Sequence, residues 1–371
     1  RQATVTAVSD VECLCIARKH FNMVMGPAVD ILKRNMTTYK TYEELVKGAG
    51  GALGEIEAME IEPVDRKTTL KNLLNSEVEY TECLNKIVDG YMEAMEQRND
   101  LKISVQESAI LFANVKDILN IHDALLHEFE KCALNPELSI GPLFTHLAEG
   151  LRIYNDFVSH YFASKIVLGK SKSLPSFNKF LKDVQSSALV AGVELEDLLE
   201  TVFMRVGAYV KHIKNLMETT HEDHIDAMLL PRSMEKIKQV DISINQCKLV
   251  AETVYKAQKT ISGEFQNLVV PGRTLLRRGD LEDVLSKIVI HCFLFNDIIV
   301  LCKPIPIEKD EVKLVYNGII NLSQSKVEET DEGFCVSYKT DQGKEQKFIG
   351  KTPHKDWFED LKSAIGSIGN A

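Results

Sequence analysis

Two short runs have residue types that could do chemistry. Gly169-Lys170-Ser171 ends like a phosphate-binding loop, in which backbone N–H groups cradle phosphate and a lysine reaches it. Ser164 stands where the first glycine of such a loop belongs, and no strand precedes it, so the run reads as a solvated loop between helices. His221, Glu222, Asp223 and His224 have metal-ligating side chains. Two histidines three apart with carboxylates between them fit an exposed helix start better than a metal site. No G-x-S-x-G run occurs, and no strand-turn-helix glycine fingerprint. Covalent catalysis, a metal and a cofactor are therefore not expected.

One acidic residue is out of place. Glu77 lies seven residues after Leu70, seven before Leu84, and three or four from Leu73 and Leu74. That spacing sets a carboxylate on the apolar stripe of a helix, where an unpaired buried charge is costly. Two readings are open: the stripe surfaces at Glu77 and water solvates it, or an external partner satisfies it. Lys214 and Asn245 sit at the edges of the stripes Val210–Ile213–Met217 and Ile237–Val240–Ile244, where spacing alone implies solvated positions.

The elements that must position these residues fall into three compositions. Residues 1–45 read as two short strands (Thr4–Val8 and Val11–Ile16) followed by a helix from about Ala28. Residues 46–64 are glycine-dense at their start and read as a linker. Residues 65–262 have helical period throughout. Asp65 is the expected N-cap of a first helix running to Met95, and further helices are expected over about 104–133, 139–167, 175–188, 194–219 and 224–262. Pro142, Pro175 and Pro231 mark expected starts or breaks. From Leu268 the period switches to two. Strands are expected over 268–276, 288–295, 298–303, 312–316, 318–322, 333–340 and 345–350, with Asn296-Asp297 as a tight turn. A closing helix over about 353–365 carries Trp357, the only tryptophan. The expected architecture is multi-domain: a short N-terminal β/α remnant, an elongated all-α helical bundle, and a small closed β-barrel or sandwich capped by a C-terminal helix.

Charge and cysteine usage narrow the function. Lys plus Arg is 44 and Asp plus Glu is 54, a net charge of −10, which argues against a bulk nucleic-acid binder. The eight cysteines have no repeated spacing and read as buried reduced thiols, so a cytoplasmic location is expected. The most apolar run, Ile288–Cys302, is interrupted by polar residues and too short to span a bilayer. The chain starts in mid-pattern at Arg1, as a fragment of a longer protein would.

Residues 65–262 resemble a Dbl homology domain, the helical exchange domain that acts on Rho-family GTPases. The first block of that resemblance is Thr69-Leu-Lys-Asn-Leu-Leu-Asn-Ser-Glu77-Val-Glu-Tyr80 with Leu84. The middle block is Ile140-Gly-Pro-Leu-Phe144, Tyr154 and Phe177-Asn-Lys-Phe-Leu181. The third runs through Leu195-Glu-Asp-Leu-Leu199, Met204–Tyr209, Lys214, Asp226 and Val240–Asn245. Where the family has a P-V-Q-R-x-P-R-Y run, this chain has Thr201-Val-Phe-Met-Arg-Val-Gly-Ala-Tyr209. Arg205 and Tyr209 remain, both prolines and the second arginine are gone, and the leucines that follow are Lys211 and His212. Residues 268–365 resemble a pleckstrin homology domain through Phe293–Lys303 and Trp357. Residues 1–45, above all Gly26–Asn35, resemble the end of a cyclic-nucleotide-binding domain such as that of the regulatory subunit of cyclic-AMP-dependent protein kinase.

The resemblance implies a guanine nucleotide exchange factor, which makes no covalent bond and promotes GDP release by displacing the switch loops of a Rac-, Rho- or Cdc42-like GTPase. Glu77 would engage switch I, and Lys214 and Asn245 would contact switch II. The pleckstrin-like module could meet a phosphoinositide surface through Arg273, Arg277 and Arg278, opposed by Asp280, Glu282 and Asp283 in the adjoining loop, and so bring the protein to a membrane. Arg1 would match the arginine that holds the cyclic phosphate, making cyclic nucleotide a partner of the longer protein. Two alternatives stay open: a non-exchanging interaction scaffold, given the altered third block, and a cyclic-nucleotide-regulated signalling adaptor.

Overall fold

A computed structural model describes residues 65–307, 311–340, 343–352 and 355–368. The expected N-terminal remnant with Arg1, and the linker over 46–64, lie outside the described residues.

The first half is helical. Helix α1 (Arg66–Asn85) starts where Asp65 accepts a hydrogen bond from the Thr68 N–H at 2.7 Å, the N-cap geometry that satisfies an otherwise orphaned donor. It continues through a π-helical stretch (Lys86–Met92) into the short α2 (Glu93–Glu96). The run expected as one helix over 104–133 is two, α3 (Val105–Phe112) and α4 (Val115–Leu134). The break is at Ala113, whose φ of 44° no α-helix tolerates. Helix α5 (Gly141–Gly150) passes through a 3₁₀ turn into α6 (Tyr154–Ser171). Gly169-Lys170-Ser171 is therefore the last turn of α6 rather than a loop. Pro175 opens α7 (Pro175–Gln185). The run over 194–219 divides at Phe203-Met204 into α8 (Leu195–Val202) and α9 (Arg205–Thr219). Helix α10 (Asp226–Thr260) is 35 residues long and carries Pro231 inside it without a break. At 1.5 Å per residue α10 spans roughly 50 Å, so the helical part is long in one direction.

The second half is a sheet of eight strands in the order β1-β5-β4-β3-β2-β8-β7-β6. Its strands are β1 (Ile261–Ser262), β2 (Leu275–Asp283), β3 (Ile288–Phe295), β4 (Ile298–Pro306), β5 (Val312–Asn321), β6 (Lys326–Thr330), β7 (Gly333–Lys339) and β8 (Glu345–Lys351). Asn296-Asp297 makes the β3–β4 turn. Several expectations are corrected. The strand foreseen over 268–276 starts at Leu275, because the Leu268 N–H goes to Gln258 Oε1 at 2.7 Å and the Val269 N–H is shared between Asn267 Oδ1 at 3.1 Å and Gln258 Oε1 at 3.3 Å rather than given to a ladder. The two strands foreseen at 312–316 and 318–322 are one, with Asn317 as the extra residue of a bulge where Leu301↔Gly318 is followed by Cys302↔Tyr316. Strand β1 was not foreseen, since the helix expected over 224–262 ends at Thr260 and Ile261 and Ser262 pair with Leu314 and Val315 of β5; nor was β6, since Lys326-Val-Glu-Glu-Thr330 is an edge strand with little apolar alternation. The ladder is linear, and no pairing joins β6 to β1 or β5 among the described residues, so the closed barrel is not observed.

Alternation divides the sheet between two cores. Cys292 and Leu294 of β3 face inward with Phe334, Val336, Phe348 and Trp357, the last from helix α11 (Asp356–Ile368). Phe293 and Phe295, and Val300 and Cys302 of β4, face outward and join the core of the helical part. Among the described residues Cys132, Cys292, Cys302 and Cys335 are buried free thiols, while Cys83 and Cys247 are half-buried. No described helix is long and apolar enough to cross a membrane.

Candidate functional site

Glu77 is fully buried, which corrects both sequence readings of it. It is neither solvated nor free for a partner, because this chain supplies every contact. The stripe does not surface on α1; it buries against α4, α8 and α9, and meets α6 through Tyr80 and Tyr154. Glu77 Oε1 accepts from His122 Nδ1 of α4 at 2.6 Å, and Oε2 accepts from Tyr209 Oη of α9 at 2.6 Å and from the Arg205 guanidinium. Arg205 also donates to the Ser76 carbonyl and Oγ at 3.1 and 2.7 Å. Its guanidinium lies over the rings of Tyr80 and Tyr209, 5.2 and 4.4 Å from their centroids. Burial pushes the Glu77 carboxyl upward, but the His122 hydrogen bond and the Arg205 charge outweigh it and hold the group below the ordinary carboxylate range. The two residues of the third block that remain are thus Arg205, which neutralises Glu77, and Tyr209, which donates a hydrogen bond to it.

A second buried acid anchors the far end of the bundle. Asp226, the first residue of α10, accepts from Ser139 Oγ at 2.5 Å, the N–H groups of Ile140 and Gly141 at 2.9 Å each, and Arg66 at 2.5 Å. One carboxylate therefore caps α5 and pins the start of α1. A Cβ at Gly141 would lie 2.6 Å from Leu229 Cβ and 2.9 Å from Asp226 Oδ1, so only glycine permits this approach.

Lys214 and Asn245 are exposed, as expected of stripe edges. Lys214 has a long ion pair with Glu218, at 3.9 Å. Asn245 gives its amide to the Asp241 carbonyl one turn back, at 2.9 Å. Helices α9 and α10 run antiparallel, since Phe203 lies under Lys248 and Gly207 beside Asp241. Lys214 and Asn245 lie on opposite sides of that crossing, roughly 16 Å apart along the axes at 1.5 Å per residue. Met204 at the α8–α9 joint, Met217 of α9, and Ile242 and Leu249 of α10 are exposed as well.

The three arginines of the sheet do not converge. Arg273 is paired with Asp297 at 2.6 Å and donates to the Leu268 carbonyl. Arg277 is paired with Asp360 of α11 at 2.6 Å. Arg278, on the opposite side of the strand from Arg277, is exposed. Two of the three are spent on holding the module together, which corrects the reading of a joint lipid site. Asp280, Glu282 and Asp283 are on β2 rather than in a loop, and Asp280 accepts from His291 at 2.6 Å. His224 is engaged by the Asp226 N–H and the Glu137 carbonyl, and no group of three or more candidate ligands gathers around a metal site among the described residues.

Sequence reasoning missed His122 and Arg66. His122 had a signal of the same kind as Glu77, since it interrupts the stripe Val115–Ile118–Leu119–Leu125–Phe129 at helical spacing. Arg66 had none.

The buried Glu77–Arg205–Tyr209 cluster and the Asp226 anchor fall inside one recognised unit. Residues 69–245 match the RhoGEF domain. Among curated relatives, the chain is 28% identical over 286 residues to "Kinase and exchange factor for Rac B" of Dictyostelium discoideum, covering 71% of this chain and 24% of that protein. It is 25% identical over 335 residues to "Phosphatidylinositol 3,4,5-trisphosphate-dependent Rac exchanger 2 protein" of Homo sapiens, covering 79% of this chain and 21% of that one. The chain thus spans a quarter or less of the length of these relatives. Among solved structures, a likeness of fold extends into the sheet: the DH/PH domains of p115-RhoGEF superpose with a TM-score of 0.54 at 16% identity, over 83% of this chain and 94% of that one. The PDZ-RhoGEF DH/PH domains, solved in complex with GTP-gamma-S activated RhoA, superpose with a TM-score of 0.52 at 18% identity, over 82% and 94%. These likenesses establish the fold of a RhoGEF helical domain followed by a pleckstrin-type sheet.

Proposed function

We propose that this chain is a guanine nucleotide exchange factor that promotes GDP release from a Rho-family GTPase. The observation that carries the reading is the RhoGEF match over residues 69–245 on a helical body joined to a sheet. An exchange factor needs only differential affinity: it binds the nucleotide-free GTPase more tightly than the GDP-bound form and so opens the nucleotide site. The exposed side of α9 and α10 suits such a partner. Lys214 offers a charge, Asn245 an amide, and Met204, Met217, Ile242 and Leu249 exposed apolar side chains. Glu77 has no contact with the GTPase in this account; it holds the helices beneath that surface. The test is binding of the full chain to nucleotide-free and GDP-loaded GTPases. Marked preference for the nucleotide-free form supports exchange.

One observation favours a second reading. Thr201-Val-Phe-Met204 replaces the family's proline-bearing run, and Met204 stands exposed at the α8–α9 break. An interaction scaffold that binds a GTPase without opening it would show equal affinity for both forms. The finer readings keep only sequence support. A cyclic-nucleotide unit with Arg1 rests on the resemblance of residues 1–45. Recruitment from the cytoplasm to a phosphoinositide surface rests on Arg278, with Arg273 and Arg277 already paired.

A further inference from the structure

A continuous line of hydrogen bonds crosses the helical core from the end of α8 to α1. Tyr80 Oη lies 3.0 Å from the Val202 carbonyl and 2.6 Å from Tyr154 Oη. Tyr154 Oη lies 2.7 Å from His122 Nε2, and His122 Nδ1 lies 2.6 Å from Glu77 Oε1. All four side chains are buried. Burial pushes both tyrosine hydroxyls up, so each keeps its one proton.

Counting those protons fixes every donor. A carbonyl only accepts, so the Tyr80 proton goes to Val202. The Tyr80 oxygen must then accept, so the Tyr154 proton goes to Tyr80. Tyr154 has no proton left for the ring, and His122 Nε2 must donate to it. The Glu77 carboxylate also only accepts, so Nδ1 donates too. Tyr209 does not relieve the count: its proton is given to Glu77 Oε2 at 2.6 Å, and it lies 3.3 Å from Nδ1. A neutral ring would reverse the line, with Tyr154 donating to Nε2 and Tyr80 to Tyr154, and Val202 would lose the hydroxyl of Tyr80.

We propose that His122 is held as an imidazolium and acts as a positioning residue, setting the direction of the Tyr154–Tyr80 hydroxyl line and so tying α1, α4 and α6 to the α8–α9 joint at Phe203-Met204. The groups facing the ring are Glu77 and Tyr80 from α1, Tyr154 from α6, and Arg205 and Tyr209 from α9; the half-buried His212 of α9 lies farther out. Arg205 is hydrogen-bonded to Glu77 and Ser76 and lies over two aromatic faces. Loss of the Nε2 proton at higher pH would turn both hydroxyls and release the Val202 carbonyl. The joint so held borders the exposed surface of α9 and α10, and its importance for exchange rests on the function proposed above; the protonation does not.

The experiment is a pH series of ¹⁵N-histidine and backbone amide spectra on the full chain, as wild type and as Tyr80→Phe. In the wild type both ring nitrogens of His122 should carry the N–H signature near neutral pH, and the amides of Phe203 and Met204 should shift together with the loss of the Nε2 proton. In Tyr80→Phe the Tyr154 proton is freed for the ring, so Nε2 should lose its proton at lower pH, a change that a merely packed phenol would not cause. A bare Nε2 in the neutral wild type overturns the imidazolium. An unchanged ring titration in Tyr80→Phe, or joint amides that ignore the ring, overturns the positioning role. Neither outcome depends on exchange activity, so failure here and failure of the exchange reading are distinguishable.

Discussion

Replacing Glu77 by alanine separates a structural carboxylate from a partner-facing one. In the structure the change strips Arg205 and His122 of their shared acceptor inside the core, and leaves Tyr209 with a hydroxyl that has lost its partner. Breaking a buried pair by removing one member costs about 3–5 kcal/mol, because the remaining charge stays desolvated. For a domain of this size each kcal/mol moves the unfolding midpoint by roughly 2–4 °C, so a fall of about 6–20 °C is expected. Thermal unfolding of the wild type, Glu77→Ala, Arg205→Met and the double variant reads it directly. The double variant should lose less than the sum of the singles, since each single strands a charge that the double does not. The pH dependence has a definite sign. The Glu77 carboxyl is held below its ordinary value, so its contribution is fully present above the ordinary carboxylate range and is lost as pH falls through the depressed value. That acid-side loss should be absent from Glu77→Ala. A midpoint for Glu77→Ala within about 1 °C of the wild type would refute the reasoning, and would return Glu77 to the surface role that its family block suggested.

Other substitutions probe the rest of the account. Lys214→Ala and Asn245→Ala should each slow GDP release several-fold with unfolding midpoints unchanged, because both side chains are exposed; a matching loss of stability would remove them from the contact surface. Gly141→Ala should cost about 1–3 kcal/mol by pushing Leu229 and Asp226 apart, whereas Gly169→Ala, which meets nothing within 4 Å, should be neutral or stabilising by up to about 1 kcal/mol in chemical denaturation. Trp357→Ala should cost about 3–5 kcal/mol by opening the core between α11 and the sheet, visible as early loss of the sheet's amide protection from exchange with solvent.

Much of this was legible in the chain because period reports burial. The stripe Leu70–Leu73–Leu84 and the two apolar runs either side of Asn296-Asp297, from Ile288 to Cys302, placed a helix and a hairpin where the structure has them. What was not legible depends on contacts distant in sequence. Nothing local to Leu268 indicates that Gln258 takes its N–H group and delays the strand. A strand at an edge, such as β6, need not alternate, so its sequence has no signal to read. Glu77 was noticed for the right reason, a carboxylate on an apolar stripe, but a stripe does not say which residue neutralises it. Its neutraliser, Arg205, is 128 residues away. Arg273 and Arg277 failed for the same reason, since neither Asp297 nor Asp360 is near them in the chain.

The central claim is catalysed release of nucleotide. The most direct measurement is the release of fluorescent GDP from Rho-, Rac- and Cdc42-like GTPases in the presence of catalytic amounts of the full chain. The account predicts acceleration for at least one of them, reduced in Lys214→Ala and Asn245→Ala. No acceleration for any GTPase of the panel, from a chain that unfolds cooperatively, would contradict it.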